Sequence, residues 1–97
     1  MQIVQPAVAG TMESSDIMIR IEPGGTGVEL SLESSVLSQF GKQIESVIRG
    51  SLAELGVESA RVTAVDKGAL DCTVRARVMT AAYRGAGQEN HSWEVKV

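Results

Sequence analysis

Residues 16–22, Asp-Ile-Met-Ile-Arg-Ile-Glu, decide the class of fold. Ile17, Ile19 and Ile21 recur at every second position of this stretch. Successive side chains of a strand point to opposite faces, so this alternation predicts a β-strand with one apolar face. A second layer of structure must cover that face, and the flanking sequence supplies the candidates.

The sequence that follows this strand predicts a hairpin. Residues 23–27, Pro-Gly-Gly-Thr-Gly, form a turn because Pro and Gly interrupt regular structure. Val28, Leu30 and Leu32 then alternate with polar residues, which predicts a second strand. We therefore expect an antiparallel hairpin over residues 16–33.

Residues 36–55 predict an amphipathic helix. Ser34 or Ser35 suits its N-cap, and Gly56 suits the position that ends it. Its apolar residues recur at the three- and four-residue spacing of one helical face: Val36, Leu37, Phe40, Ile44, Val47, Ile48, Leu52 and Leu55. We expect the face that contains Phe40 to pack on the isoleucine face of the first strand.

The remaining stretches complete a small α+β domain. Residues 57–65 read as a third strand, and residues 1–4 fit a short edge strand. Residues 69–84 fit both a strand alternation and a helical stripe, and we favour a helix over 70–84. Either pattern places Cys72 among apolar neighbours, so we expect a buried, unreactive thiol. The predicted fold is α+β, with a small, mainly antiparallel sheet and two helices packed on one face.

Composition restricts the class of protein. A length of 97 residues suits one domain, 1–97, and only 3% aromatic residues requires an aliphatic core. A net charge of −3 disfavours a nucleic-acid partner, because phosphates repel an acidic surface. The single Cys excludes an internal disulfide and fits a reducing compartment. Without a signal-peptide pattern or an apolar run of about 20 residues, we expect a cytoplasmic protein with no membrane partner.

The available residues disfavour self-sufficient catalysis. His91 is the single histidine, so any Ser-His-Asp triad or any pairing with Cys72 depends on it, and no serine lies in a nucleophile-elbow motif. One Cys and one His cannot build a zinc site. The glycines at 24, 25 and 27 resemble a phosphate loop, but no helix is predicted directly after them. We therefore expect a chain without catalytic residues and without a metal.

Two groups of charged residues have alternative interpretations. Glu29 and Glu33 lie on the outer face of the second predicted strand, where we expect them to be solvated. Arg75, Arg77 and Arg84 form a basic cluster. A solvated face is one interpretation of this cluster, and a contact with a partner or a phosphate is the other, because guanidinium groups match phosphate oxygens.

The loop before the first strand carries the candidate site. Residues 5–15, Gln-Pro-Ala-Val-Ala-Gly-Thr-Met-Glu-Ser-Ser, predict an exposed loop, and Ser14 lies near its end. The run resembles the modification site of the acyl carrier (gamma) subunit of citrate lyase. A second run, Asp-Lys-Gly-Ala-Leu-Asp-Cys at 66–72 followed by Arg-Ala-Arg at 75–77, resembles the same family at a matching spacing. The resemblance spans nearly the whole chain and weakens after about Arg84.

The resemblance implies a carrier rather than an enzyme. Ser14 would hold a covalent phosphoribosyl-dephospho-coenzyme A arm in phosphodiester linkage, attached by a prosthetic-group transferase. The arm's thiol would carry acetyl, which the transferase (alpha) subunit of citrate lyase exchanges for citryl. The lyase (beta) subunit would then release oxaloacetate and restore the acetyl group. Tethering makes delivery to both subunits of this hetero-oligomer intramolecular.

Several alternatives stay open. Fatty-acid carriers resemble helical bundles with an Asp-Ser-Leu motif, which this chain lacks. The carrier of malonate decarboxylase is the nearer alternative, and an unmodified α+β interaction module is the other. Ser15 rivals Ser14 as the attachment point, because chemistry alone does not separate adjacent hydroxyls. The tail at 85–97, which breaks the second helix, matches nothing in the resemblance.

Overall fold

The computed structural model describes residues 1–34 and 37–88. Its elements are four strands and two helices, in the order β1 (Ala7–Ala9), β2 (Ile17–Glu22), β3 (Val28–Ser34), α1 (Leu37–Glu54), β4 (Ala60–Asp66) and α2 (Asp71–Gly85). The predicted α+β class is confirmed. Both predicted helices and the strands at 16–22, 28–33 and 57–65 are present with small shifts of their ends.

The four strands form one mixed sheet in the order β1-β2-β4-β3. The pairs β1–β2 and β2–β4 are antiparallel, whereas β3–β4 is parallel. The hairpin predicted over 16–33 is wrong, because β4 lies between β2 and β3. Helix α1 returns the chain from the end of β3 to the start of β4, and such a crossover is what parallel neighbours require. In the resulting register Val62 lies between Ile21 and Leu30.

Both helices cover the same face of the sheet. Ile17, Ile19 and Ile21 point to that face and are fully buried, whereas Arg20 and Thr63 on the opposite face are exposed. Helix α2 lies over β1 and β2, and α1 lies over β3 and against α2. The isoleucine row is therefore covered by α2 rather than by the longer helix. The core is aliphatic, as predicted.

Among its side chains from Phe40 onward, helix α1 turns most of its predicted face towards the core. Ile44, Ile48 and Leu52 are buried, and Val47 packs against them. Phe40 is 51% exposed, so its predicted position in the core is wrong. It precedes Ile44 by one turn and faces the segment after β4 instead of the sheet. Gly56 has a φ of 73° and follows the helix, as predicted for a terminating glycine.

The ambiguous stretch at 69–84 is helical from Asp71, as favoured from the sequence, and forms α2. Its buried face consists of Val74, Val78, Ala81, Ala82 and Gly85. Cys72 is exposed, so the prediction of a buried thiol is wrong. The physical reason is angular, because a residue two positions before the buried Val74 lies about 200° around the helix.

The N-terminal segment takes a different course from the predicted one. Residues 1–4 form no strand, and the Val4 and Gln5 amides donate to the Gly85 carbonyl at 2.9 and 3.1 Å. The edge strand is β1 instead, inside the stretch predicted to be a loop. Helix α2 ends at Gly85, as its glycines predicted, and residues 89–97 of the predicted tail, with His91, lie outside the described residues.

Candidate functional site

Residues 10–16 connect β1 to β2 and form a compact loop, termed here the serine loop. Ser14 and Ser15 are both exposed in it, as predicted for Ser14. Among residues 1–34 and 37–88, neither hydroxyl has a hydrogen-bond partner. Both oxygens are therefore accessible from solvent, and the backbone around them distinguishes the two positions.

The serine loop begins at a close contact between its two ends. Gly10 has a φ of +91°, and a Cβ placed on it would lie 1.8 Å from the carbonyl oxygen of Ile17. Only glycine tolerates both this conformation and this approach. The first residue of the loop is thus held against the first residue of β2.

The loop ends at Asp16, whose carboxylate accepts several hydrogen bonds. Arg77 of α2 donates from Nε and Nη2 to the two oxygens of Asp16, at 3.0 and 2.9 Å. The Thr11 hydroxyl and the Ile17 amide each donate to Asp16 at 2.7 Å. Arg77, then Thr11, then the Ile17 amide lower the pKa of Asp16 far below its ordinary value, against the opposing effect of burial. The carboxylate therefore stays ionised and binds the loop to α2.

Backbone pairing holds Ser15 but not Ser14. The Ser15 amide donates to the Lys67 carbonyl at 2.7 Å, and the Lys67 amide donates to the Asp16 carbonyl at 2.8 Å. Ser15 also has a positive φ of 69°, which turns the chain into β2. Within the described part of the chain the Ser14 amide has no hydrogen-bond partner. Ser14 thus projects from the turn that the Asp16 amide closes by donating to the Glu13 carbonyl at 3.1 Å.

The turn that follows β4 holds Lys67 in place for its hydrogen bonds to the serine loop. Asp66 is buried at the end of β4, and its carboxylate accepts hydrogen bonds from the Gly68 and Ala69 amides at 3.1 and 3.0 Å. The Ser34 hydroxyl donates to the same carboxylate at 2.8 Å. This network fixes the conformation of the β4–α2 connection. Lys67 is consequently presented to the serine loop by a rigid turn.

The two segments that carry the family resemblance meet in space. The run at 66–72 contacts the serine loop through Lys67, and the Arg-Ala-Arg run at 75–77 contacts it through Arg77. The sequence analysis proposed Ser14 as the site but did not predict the contacts of Asp16 and Lys67 that hold its loop. The signal available in the sequence was the pair of opposite charges, Asp16 and Arg77, at the edges of the two matching runs.

The structure gives each arginine of the basic cluster a partner within the chain. Arg77 binds Asp16, Arg75 forms an exposed ion pair with Glu54, and Arg84 donates to the Val8 carbonyl at 2.8 Å. These contacts favour a structural role over a phosphate contact for the cluster.

The fold also shows where the acidic and glycine-rich candidate residues lie. Glu29 and Glu33 are exposed on β3, as predicted. The turn that contains the glycines at 24, 25 and 27 joins β2 to β3, so no helix follows it and it does not form a phosphate loop. In the described residues no group of three or more His, Cys, Asp or Glu side chains could hold a metal ion. A triad with His91 lies outside the described residues.

Neither α1 nor α2 is long and apolar enough to cross a bilayer.

Comparison with known proteins gives concordant matches. Residues 4–85 match a family model described as "ACP: Malonate decarboxylase delta subunit (MdcD)". The chain is 56% identical over 95 residues to the citrate lyase acyl carrier protein of Streptococcus equi subsp. equi (strain 4047). It is 52% identical over 94 residues to the citrate lyase acyl carrier protein of Latilactobacillus sakei subsp. sakei (strain 23K). Both alignments cover 97% of this chain and 93% of the relative.

A solved structure shares the fold. The match is to a chain in the crystal structure of a Pseudomonas malonate decarboxylase hetero-tetramer in complex with malonate, with a TM-score of 0.70 and 20% identity. The superposition covers 87% of this chain and 91% of that chain. At this level of identity the likeness establishes the fold alone.

Proposed function

The chain belongs to the citrate lyase acyl carrier protein family, and we propose that it is the cytoplasmic acyl carrier subunit of a citrate lyase. In this role Ser14 holds a phosphoribosyl-dephospho-coenzyme A arm in phosphodiester linkage. The carrier then delivers acyl groups between a transferase (alpha) subunit and a lyase (beta) subunit while citrate is cleaved to oxaloacetate and acetate. A separate prosthetic-group transferase attaches the arm.

The observation that carries this proposal is the position of Ser14. Its hydroxyl is exposed and has no partner among the described residues, and its backbone amide is equally unbound. A phosphodiester to the Ser14 oxygen needs access from solvent and no other ligand from the protein. The residues present therefore fit a covalent arm, because no described side chain hydrogen-bonds to the attachment oxygen or competes for it.

The fixed ends of the serine loop give the carrier its mechanical role. When attached, the arm supplies a thiol that accepts acyl groups. Gly10 and Asp16 hold both ends of the loop against the body of the protein, so Ser14 projects at a defined point rather than from a long, unrestrained segment. Tethering raises the effective concentration of the carried group at each partner, provided that the linker spans the distance. The chain itself makes and breaks no bond in this scheme.

Ser14 is a better attachment point than Ser15 on backbone grounds. A modifying enzyme must enclose the serine and its neighbours, which is easier for backbone that is not engaged in hydrogen bonds. The Ser15 amide is bound to Lys67, and Ser15 has the left-handed conformation that makes the turn. These two features support Ser14 and make Ser15 a structural residue.

A carrier subunit of malonate decarboxylase is the second candidate. The description of the matching family model favours it. The 52% and 56% identities to citrate lyase acyl carrier proteins over nearly the full length favour citrate. Separate assays with citrate and with malonate, each with the corresponding catalytic subunits, distinguish the two.

The proposal is tested by reconstitution. The chain is produced with the prosthetic-group transferase, combined with the alpha and beta subunits, and assayed for oxaloacetate formation from citrate. Ser14→Ala should fold normally and abolish turnover, since surface substitutions usually change stability by no more than about 0.5 kcal/mol. Ser15→Gly, which retains the positive φ, is the matched control and should retain turnover. Full turnover by Ser14→Ala would refute the assignment.

A further inference from the structure

An open apolar groove lies between the first turns of α1 and the connection from β4 to α2. Its volume is about 380 Å³, within the range typical of small-molecule sites. We term it the Phe40 groove, and its lining residues include Phe40, Gln43, Ile44, Ala69, Leu70 and Asp71. None of them takes part in the serine loop.

The Phe40 groove exposes large apolar side chains. Phe40 is 51% exposed and Leu70 is 71% exposed, while Ile44 is buried at the base. Scattered apolar residues are normal on a surface, but this aromatic ring and this leucine line one concavity and form a contiguous apolar surface there. The groove is thus suited to a flat, apolar ligand.

The rim of the groove adds polar groups that can bind the edge of such a ligand. Gln43 Nε2 donates to Asp71 Oδ2 at 2.7 Å across the rim. The amide oxygen of Gln43 and the second carboxylate oxygen of Asp71 have no partner among residues 1–34 and 37–88. These two acceptors match a ligand whose edge carries N–H donors.

The groove is continuous with the turn that supports the serine loop. Ser15 is hydrogen-bonded to Lys67, and Ala69 of the groove lies two residues further along. The path from Ser14 to Ala69 takes one residue step to Ser15 and crosses the hydrogen bond from Ser15 to Lys67. It then takes two further residue steps along the chain. The Cα atoms of Ser14 and Ala69 are therefore at most about 17 Å apart, from ~3.8 Å per residue step and ~5.5 Å between hydrogen-bonded backbones.

We infer that the Phe40 groove binds the adenine ring of the arm that the proposed function attaches to Ser14. The inference rests on that proposed function. The dephospho-coenzyme A of this arm contains an adenosine, and the edge of the groove lies at most about 17 Å from the residue that carries the arm. Adenine is flat and stacks on aromatic side chains, and its amino group is a donor for Gln43 and Asp71.

Because the arm is covalently attached, a shallow groove is sufficient to bind its adenine ring. A ring tethered within reach meets the groove at a high effective concentration, so modest stacking on Phe40 populates the bound state. Adenine bound there directs the pantetheine end of the arm away from Ser14 along a defined path. The groove would thereby determine the direction in which the thiol leaves the carrier.

Phe40 is the only phenylalanine of the chain, so one isotope label reports on the groove. Carrier labelled with ¹³C- or ¹⁹F-phenylalanine is prepared with and without the prosthetic-group transferase, and intact mass confirms the arm. We expect the ring resonance to move on modification and to show contacts with adenine protons. Ser14→Ala from the modifying host should keep the resonance of the unmodified carrier.

Leu70→Ser tests the groove, and Val4→Ser is its matched control. Val4 is also exposed, at 59%, but it lies beside Gly85 at the far end of α2. Leu70→Ser should reduce the shift of the Phe40 resonance on modification, and Val4→Ser should preserve it. Melting curves of both variants verify folding.

Three other outcomes would count against the inference. An arm shown by mass together with an unmoved Phe40 resonance overturns the groove assignment and leaves the proposed function intact. If the Phe40 resonance is unmoved and Leu70→Ser also binds the alpha or beta subunit more weakly, the groove is a contact site for that subunit. This outcome overturns the adenine assignment as well. No gain of mass in the modifying host overturns the proposed function and this inference together.

Discussion

Arg77 binds both carboxylate oxygens of Asp16, with Nε–Oδ1 at 3.0 Å and Nη2–Oδ2 at 2.9 Å, across 61 positions of sequence. The Asp16 side chain is only 14% exposed, and that of Arg77 is 39% exposed. The pair fastens the exit of the serine loop to α2. It is the contact through which the helix determines where Ser14 projects.

Removing this pair should destabilise the fold measurably. Arg77→Ala leaves the partly buried Asp16 carboxylate without its two charge-assisted bonds. We expect the free energy of unfolding to fall by about 1 kcal/mol, at the low end for such bonds because Arg77 is partly solvated. Urea denaturation measures the change. Arg75→Ala, which breaks the exposed pair with Glu54, is the control, and an equal loss in both variants would contradict the role given to Asp16.

The pH dependence of stability should report the same carboxylate. The pKa of Asp16 is lowered in the folded state by Arg77 and Thr11, so folding favours the ionised form. Its contribution is complete above the unfolded pKa, about 4, and is lost as the pH falls from there through the lowered folded pKa. The unfolding free energies of wild type and Asp16→Asn, measured by denaturation at several pH values, should therefore differ at pH 7 and converge as the pH falls. Parallel curves would show that Asp16 does not carry this dependence.

The glycine that begins the serine loop should not be replaceable. Gly10→Ala places a Cβ 1.8 Å from the Ile17 carbonyl oxygen at a φ of +91°, so backbone must move. We expect a loss of more than about 3 kcal/mol in unfolding free energy, or no folded protein. Gly27→Ala isolates the conformational cost, because Gly27 has a φ of +73° and no atom near the added Cβ. It should lose about 1 kcal/mol, and similar losses in the two variants would refute the steric argument.

Cys72 should react readily in the native state. Its side chain is exposed on α2, away from the buried stripe of that helix. A colourimetric thiol reagent should therefore titrate one thiol per unmodified chain without denaturant, at a rate similar to that of the unfolded protein. Cys72→Ser should eliminate the reaction and leave the melting curve unchanged. Protection of the thiol until unfolding would restore the interpretation of Cys72 as a core residue.

The sequence predicted elements better than it predicted their partners. The alternation at 16–22 and the helical spacing at 36–55 identify β2 and α1 because burial of one face imposes a local period. The pairing of β3 with β4 has no such local signature, since it depends on α1 carrying the chain back alongside β3. Strand β1 has three residues, too few for a period to appear.

The errors about Phe40 and Cys72 have a common origin. Both assignments assumed that every apolar residue of a helical pattern faces the core. Phe40 lies in the first turns of α1, where the neighbour is the β4–α2 connection rather than the sheet, and Cys72 lies opposite the buried stripe of α2. The position of Ser14 was predictable from loop composition and resemblance. Its anchoring by Asp16 and Lys67 was not, because both contacts join distant parts of the chain.

The most direct test of the account is the mass of the carrier from a host that contains the prosthetic-group transferase. Intact-mass measurement followed by peptide mapping is applied to wild type, Ser14→Ala and Ser15→Gly. We predict that wild type and Ser15→Gly each gain the mass of one phosphoribosyl-dephospho-coenzyme A unit on the peptide that contains residue 14, and that Ser14→Ala gains none. An arm on Ser14→Ala, or an unmodified wild-type chain in that host, would contradict the central claim.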